Sequence, residues 1–247
     1  MLFRSGADTV HIKGTGGSTT VNTGDDADTV NVQAIGAATA VNTGAAADTI
    51  NVGSLAPSTA GTVNAISARL TLDAGTGTDT LTVDDTGDSA ANTGTLTASE
   101  ITGLGMTAGI GYANTETLNI NLGSGDDTFT IASTNAATTT TLTTNAGADT
   151  VTIESTAGTT TVNANGGADT VNVRAIGGAT AINTGADADT VNVGSSAPST
   201  SGNVNAIAAR LTLDAGTGTD TVTVDDTADT AANTRSEEHT SELQSPC

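Results

Sequence analysis

Aromatic and basic side chains are almost missing from this sequence of 247 residues, which has no Trp, one Tyr (Tyr112), two Phe (Phe3, Phe129) and only six Lys and Arg together. Any core must therefore be built from Val, Ile, Leu, Ala and the methyl groups of 53 Thr, which disfavours a thick helix-packed core or an aromatic binding pocket. Against the six bases stand 27 acids, for a formal charge of −21. Nucleic acid and anionic membrane both need a basic surface, so neither is expected as a partner, and cations are the natural counterpart. Residues 6–234 hold a single His and no Cys, too little for a zinc site or for Ser-His-Asp and Cys-His catalysis. No apolar run approaches membrane-spanning length, so no membrane insertion is expected.

The two ends differ in composition from the rest. Arg235 to Cys247, RSEEHTSELQSPC, holds half of the six Glu, one of the two His and the only Cys. Up to Ser245 it resembles the translation of a sequencing-library adapter, and Met1 to Ser5 resembles the reverse complement of that adapter. Residues 1–5 and 235–247 are therefore read as adapter-derived, the latter as disordered, and are set aside. Residues 6–234 retain 24 acidic and four basic side chains, 20 net negative charges.

Two periods organise this interior. Gly6–Thr93 aligns without gaps on Gly147–Thr234 at an offset of 141, with 67 of 88 positions identical. Residues 6–146 thus form a first unit and 147–234 part of a second. Within the unit, Asp-Thr followed by Val, Ile, Leu or Phe recurs with its Asp at 8, 28, 48, 79, 127, 149, 169, 189 and 220, and Glu116-Thr117-Leu118 stands where another would fall. The common spacing is 20, and one unit is close to seven such coils. Self-similarity at this period marks a solenoid, in which each repeat buries its apolar face only by stacking on its neighbours.

Each coil holds two short alternating segments. In Thr29-Val30-Asn31-Val32 the two valines share one face, the period-two pattern of a half-buried strand. Thr, Val, Asn and Gly disfavour helix. The expected fold is all-β: a flattened parallel β-roll whose two sheets meet through one layer of Val, Ile and Leu. An antiparallel meander closed by the Gly-Asp turns is the alternative. In the roll, Asn22, Asn31, Asn42, Asn51, Asn163, Asn172, Asn183 and Asn192 could stack into amide ladders. Gly53–Ser67 and Gly194–Ala208, each with a Pro (Pro57, Pro198), read as inserted surface loops. An inserted loop would keep the next Asp turn on the same edge, whereas an added half-coil would move it across.

The turn is where chemistry could reside. Gly123-Ser124-Gly125-Asp126-Asp127-Thr128-Phe129-Thr130 resembles the nonapeptide of the repeats-in-toxin family, G-G-x-G-x-D-x-U-x, except that Leu122 replaces the first Gly. Gly75, Gly77 and Asp79, and their copies Gly216, Gly218 and Asp220, match as well, with Ala at the first position. Around Asp28, Asp48, Asp149, Asp169 and Asp189 the Asp persists, but one or both glycines are replaced. The resemblance implies a Ca²⁺-binding parallel β-roll, in which each turn's Asp carboxylate and backbone carbonyls form half a site completed by the next turn. Unlike the family, the acidic turn comes only every 20 residues, so one edge is expected to be acidic and the other, with turns such as 33–38 and 174–179, bland. Carboxylates about 4.8 Å apart repel by roughly 3 to 4 kcal/mol at an effective dielectric near 20, which a divalent ion would relieve. The bland reading is that each Asp only accepts hydrogen bonds from turn N–H groups. Asp84-Asp85 and Asp225-Asp226 read as solvated strand ends, His11 as a surface substitution and Tyr112 as locally packed.

These features point to a non-catalytic, extracellular, Ca²⁺-binding spacer or adhesin stalk, with a surface or glycan ligand belonging to the parent protein. Millimolar extracellular Ca²⁺ suits weak repeated sites. The alternative is an ice- or surface-binding solenoid using outward Thr rows (Thr80-Thr82, Thr221-Thr223, 138–144). A polysaccharide-processing enzyme is less favoured, because neither a basic groove nor aromatic platforms are available.

Overall fold

A computed structural model describes residues 6–231. The two adapter-like ends lie outside the described residues, as do 232–234. Twenty short strands form two sheets. One holds nine strands in the order β1 (Thr9–Ile12), β3 (Thr29–Val32), β5 (Thr49–Val52), β7 (Thr80–Asp84), β11 (Thr117–Asn121), β13 (Thr139–Thr143), β15 (Thr160–Asn163), β17 (Thr180–Asn183) and β19 (Leu211–Asp214). The other holds eleven: β2 (Thr19–Gly24), β4 (Thr39–Gly44), β6 (Leu70–Asp73), β10 (Ile110–Ala113), β9 (Glu100–Gly103), β8 (Thr93–Thr97), β12 (Thr128–Ile131), β14 (Thr150–Ile153), β16 (Thr170–Val173), β18 (Thr190–Val193) and β20 (Thr221–Val224).

The chain alternates between the sheets and pairs each strand in parallel with its neighbour one coil away, so the molecule is a parallel β-solenoid rather than a meander. The exception is β9, which runs antiparallel to both β8 and β10. Register follows chemistry: Thr29 pairs with Thr49, Val30 with Ile50, Asn31 with Asn51 and Val32 with Val52. A slip by one residue would turn every inward Val outward. Inward Val, Ile and Leu from both sheets form one continuous core that also contains Phe129 and Tyr112. The Tyr112 hydroxyl donates to the Thr97 carbonyl at 2.7 Å, which anchors β10 against the β8–β9 hairpin. Amide ladders form as four pairs: Asn42 to Asn22, Asn51 to Asn31, Asn183 to Asn163 and Asn192 to Asn172, at 2.7 to 3.0 Å.

Two expectations need correction. The inserted segment after β5 is not simply a surface loop: Pro57 is exposed, but Val63 and Ile66 return to the core and Ile35 bridges Ile66 in parallel. Nor are the carboxylates at the end of β7 solvated. Asp84 and Asp85 are buried, because the insertion brings backbone N–H groups that no sheet neighbour can satisfy. Asp84 Oδ2 accepts from Gly61 N–H and Asp85 Oδ1 from Val63 N–H, both at 2.9 Å. Asp225 and Asp226 clamp Gly202 and Val204 in the same way, at 2.6 and 3.2 Å.

Candidate functional site: the aspartate columns

Every Asp-Thr turn enters a strand, and because neighbouring strands are in register the carboxylates stack. In the first column each carboxylate accepts the N–H of the acidic residue one coil earlier. Asp8 donates to Asp28 Oδ1, Asp28 to Asp48 Oδ1, Asp48 to Asp79 Oδ1 and Asp79 to Glu116 Oε2, at 2.7 to 2.8 Å. A second column repeats this from Asn92 through Asp127, Asp149, Asp169 and Asp189 to Asp220, at 2.7 to 3.0 Å. These hydrogen bonds are the bland role foreseen for the Asp side chains. They use only one oxygen of each carboxylate.

The other oxygen is left over. Oδ2 of Asp28, Asp48, Asp79, Asp127, Asp149, Asp169 and Asp189 is buried without a hydrogen-bond partner, and these side chains are only 1–2% exposed. Burying a charge without compensation favours the neutral form. Desolvation accordingly pushes the carboxyl groups of Asp48, Asp79, Asp127 and Asp149 above the usual carboxylate range, and Asp169 to about 7. Asp85, whose Oδ2 is also buried and unpartnered, is likewise raised to about 7 by desolvation, with further repulsion from Asp88, Asp127 and Asp84.

The columns do not share an edge. The 31-residue spacing keeps Asp48 and Asp79 in one column, because the inserted segment adds no strand between β5 and β7, and the same holds for Asp189 and Asp220 between β18 and β20. Glu116 and Asp127, 11 residues apart, precede β11 and β12 in different sheets. The acidic turns thereby change sides, and the expectation of one acidic and one bland edge is corrected: each edge is acidic for part of the chain. Repeat partners show the same shift, since β1 lies in the nine-stranded sheet and its counterpart β14 in the eleven-stranded one.

The turn glycines serve close approach. A Cβ on Gly75 would lie 1.9 Å from the Gly44 carbonyl oxygen, and one on Gly77 1.8 Å from that of Ala46. Gly216 and Gly218 repeat this against Gly185 and Asp187. Gly123 and Gly125 meet the carbonyls of Asp88 and Ala90 at 1.9 and 2.3 Å. Several of these carbonyls accept an N–H from the next turn, as Gly44 O does from Thr76 and Asp88 O from Ser124, and each keeps a second lone pair. The lone pairs left over along these turns, on carboxylate Oδ2 and on backbone carbonyls, are all on oxygen, the donor type that a hard cation such as Ca²⁺ prefers. Among the described residues no three His, Cys, Asp or Glu side chains converge as a metal-binding group.

The paired acids of the TVDDT runs were missed by sequence reasoning as structural clamps. Their only signal was their place after a strand that follows an insertion. His11 is exposed on β1, as expected. No protein-family model matches the chain, and no curated protein matches it in sequence.

Proposed function

We propose that the chain is a non-catalytic structural rod, part of an extracellular spacer or adhesin stalk, whose aspartate columns take up Ca²⁺. The observation that carries this reading is the unbroken run of buried, unpartnered carboxylate oxygens along both columns. Asp28, Asp48 and Asp79 on one edge, and Asp127, Asp149, Asp169, Asp189 and Asp220 on the other, would hold the ions, aided by carbonyls of turns such as 75–77, 123–125 and 216–218. A bound divalent cation supplies charge compensation and nothing else. Its effect is conformational: the self-repelling acidic edge becomes a neutral, stiff one. The test is the circular dichroism and thermal unfolding of the chain in Ca²⁺ and in chelator. A large rise in melting temperature with Ca²⁺ is expected, and a fold indifferent to chelator would refute the ion-dependent reading.

One observation favours a second reading. In the eleven-stranded sheet, Thr93, Thr128, Thr150, Thr170, Thr190 and Thr221 pair in an unbroken column, beside Thr95, Thr130, Thr152, Asn172, Asn192 and Thr223. Such an uncharged, evenly spaced hydroxyl array suits ordered water or ice. The 138–144 tract suits it less, since Thr138, Thr140 and Thr144 are buried. Thermal hysteresis of a dilute solution would support this reading, and its absence would remove it.

A further inference from the structure

The turns of the second column open on a row of buried corner residues: Asp85, Leu122, Thr144, Ala164 and Thr184. Their N–H groups donate to the carbonyls that end the neighbouring strands, at Asn121, Thr143, Asn163, Asn183 and Asp214, all at 2.8 to 3.0 Å. This row looks into the column. The Thr144 side chain lies against the Asp149 carboxylate, as Thr43 does against Asp48 in the first column. Four of the five corner residues are uncharged, and Asp85 is the exception. It stands in the coil where the column itself lacks an acid, because the residue paired one coil before Asp127 is Asn92.

The other acids at this corner use both carboxylate oxygens. Asp84 accepts from Gly61 N–H and the Thr86 hydroxyl, and Asp88 from Ala90 N–H and Asn64 Nδ2. Asp85 and Asp127 do not. Oδ1 of Asp85 takes Val63 N–H and Oδ1 of Asp127 takes Asn92 N–H, while both Oδ2 atoms are buried without a hydrogen-bond partner. The two carboxylates are close enough to repel each other. Main-chain oxygen is drawn to the same place: a Cβ on Gly123 would lie 1.9 Å from the Asp88 carbonyl oxygen and 3.2 Å from that of Asp85, and the Gly123 N–H faces the Asp127 carboxylate. Each of these two carbonyls accepts one N–H, from Ser124 and Asp88 respectively, and keeps a second lone pair. Two buried anionic oxygens without donors are costly, and a hard cation shared between them offsets that cost.

We propose that Asp85 is a Ca²⁺ ligand and, with Asp127, forms the first ion site of the second column, at the place where the acidic turns change sides. The assignment rests on the reading of the columns as Ca²⁺ sites and adds to it a ligand from outside the G-x-G-x-D turn. The carbonyl oxygens of Asp85 and Asp88 are further donors of the right kind. Because Asp85 Oδ1 also holds Val63 N–H, an ion here ties the inserted segment after β5 to the first turn of the second column.

Titration calorimetry of the full chain with CaCl₂ at pH 8, wild type against Asp85→Asn and Asp85→Thr, tests the assignment. Asn keeps an acceptor for Val63 N–H, and Thr is the residue this row already carries at Thr144 and Thr184. Each variant should bind one ion fewer than wild type and keep the rest. Hydrogen exchange at Val63 N–H in wild type is a second measurement that needs no variant. Ca²⁺ at ten times its Kd should slow that exchange about tenfold, since opening of the clamp releases the ion. Folded variants that bind as many ions as wild type, or Val63 exchange untouched by Ca²⁺ in a chain that binds ions, would overturn the role of Asp85 and leave the columns standing. A wild type that binds no Ca²⁺ would overturn both.

Discussion

At the scale of single residues, the repeat compares alternative side chains at the same turn position. Asn145, Asn165, Gly75 and Gly216 occupy one left-handed position, with φ between +72° and +90°. Two positions further on, Gly147 and Gly167 hold φ of +122° and +124°, but Ala46 and Asp187 hold +83° and +82°. A side chain other than Gly, Asn or Asp pays about 1 to 2 kcal/mol in this conformation. Ala46→Gly is therefore expected to raise stability by about 1 kcal/mol, or roughly 2–4 °C in melting temperature. Gly77→Ala should do the opposite and more strongly, because its methyl group would collide with the Ala46 carbonyl oxygen. Thermal unfolding of the two variants checks both. The need for glycine at these sites was readable from the G-x-G-x-D spacing. The use of one Asp oxygen on the amide of the preceding coil was foreseen only as a general turn role, since the acceptor's partner lies 20 to 37 residues away.

At the scale of elements, strands and their parallel order were readable because identical rows at a fixed period can pair in register. The edge change was not. The β8–β9 hairpin is as rich in Thr and Gly as the coils around it, so nothing local marks where a strand turns back. The clamps were equally hidden, because an exposed and a buried Asp-Asp pair look alike until an insertion needs its N–H groups satisfied. Asp84→Ala removes the acceptors of Gly61 N–H and the Thr86 hydroxyl. It should cost about 1–3 kcal/mol and increase hydrogen exchange at Gly61 without unfolding the flanking strands.

The pH response also belongs to these elements. Asp85 and Asp169 titrate near 7 in the folded chain, against an unfolded value near 3.9. Between those values the folded state binds more protons than the unfolded state, so stability falls as pH rises through that window. In chelator, the melting temperature should therefore increase from pH 8 to pH 5, opposite to the usual behaviour of paired carboxylates. Saturating Ca²⁺ should reverse the trend, because ion binding requires the deprotonated form. A melting temperature that falls from pH 8 to pH 5 in chelator would contradict the burial of these groups.

At the scale of the whole molecule, the half-coil shift between repeat units places the two acidic columns on different edges. A continuous column on one edge would concentrate repulsion on one side of the rod; alternation distributes it. Neither edge has an appreciable supply of basic partners. Only four Lys and Arg stand among residues 6–234, and the ion pairs among the described residues are Arg69–Glu100 and Arg174–Glu154, both half exposed. Compensation of the columns must come from protons or from solution cations.

Counting Ca²⁺ by titration calorimetry at pH 8 decides between these most directly. Wild type should bind several ions, and Asp149→Asn/Asp169→Asn should lose those of the second column while keeping those of the first. A titration giving only heats of dilution, on a chain that remains folded in chelator, would contradict the account.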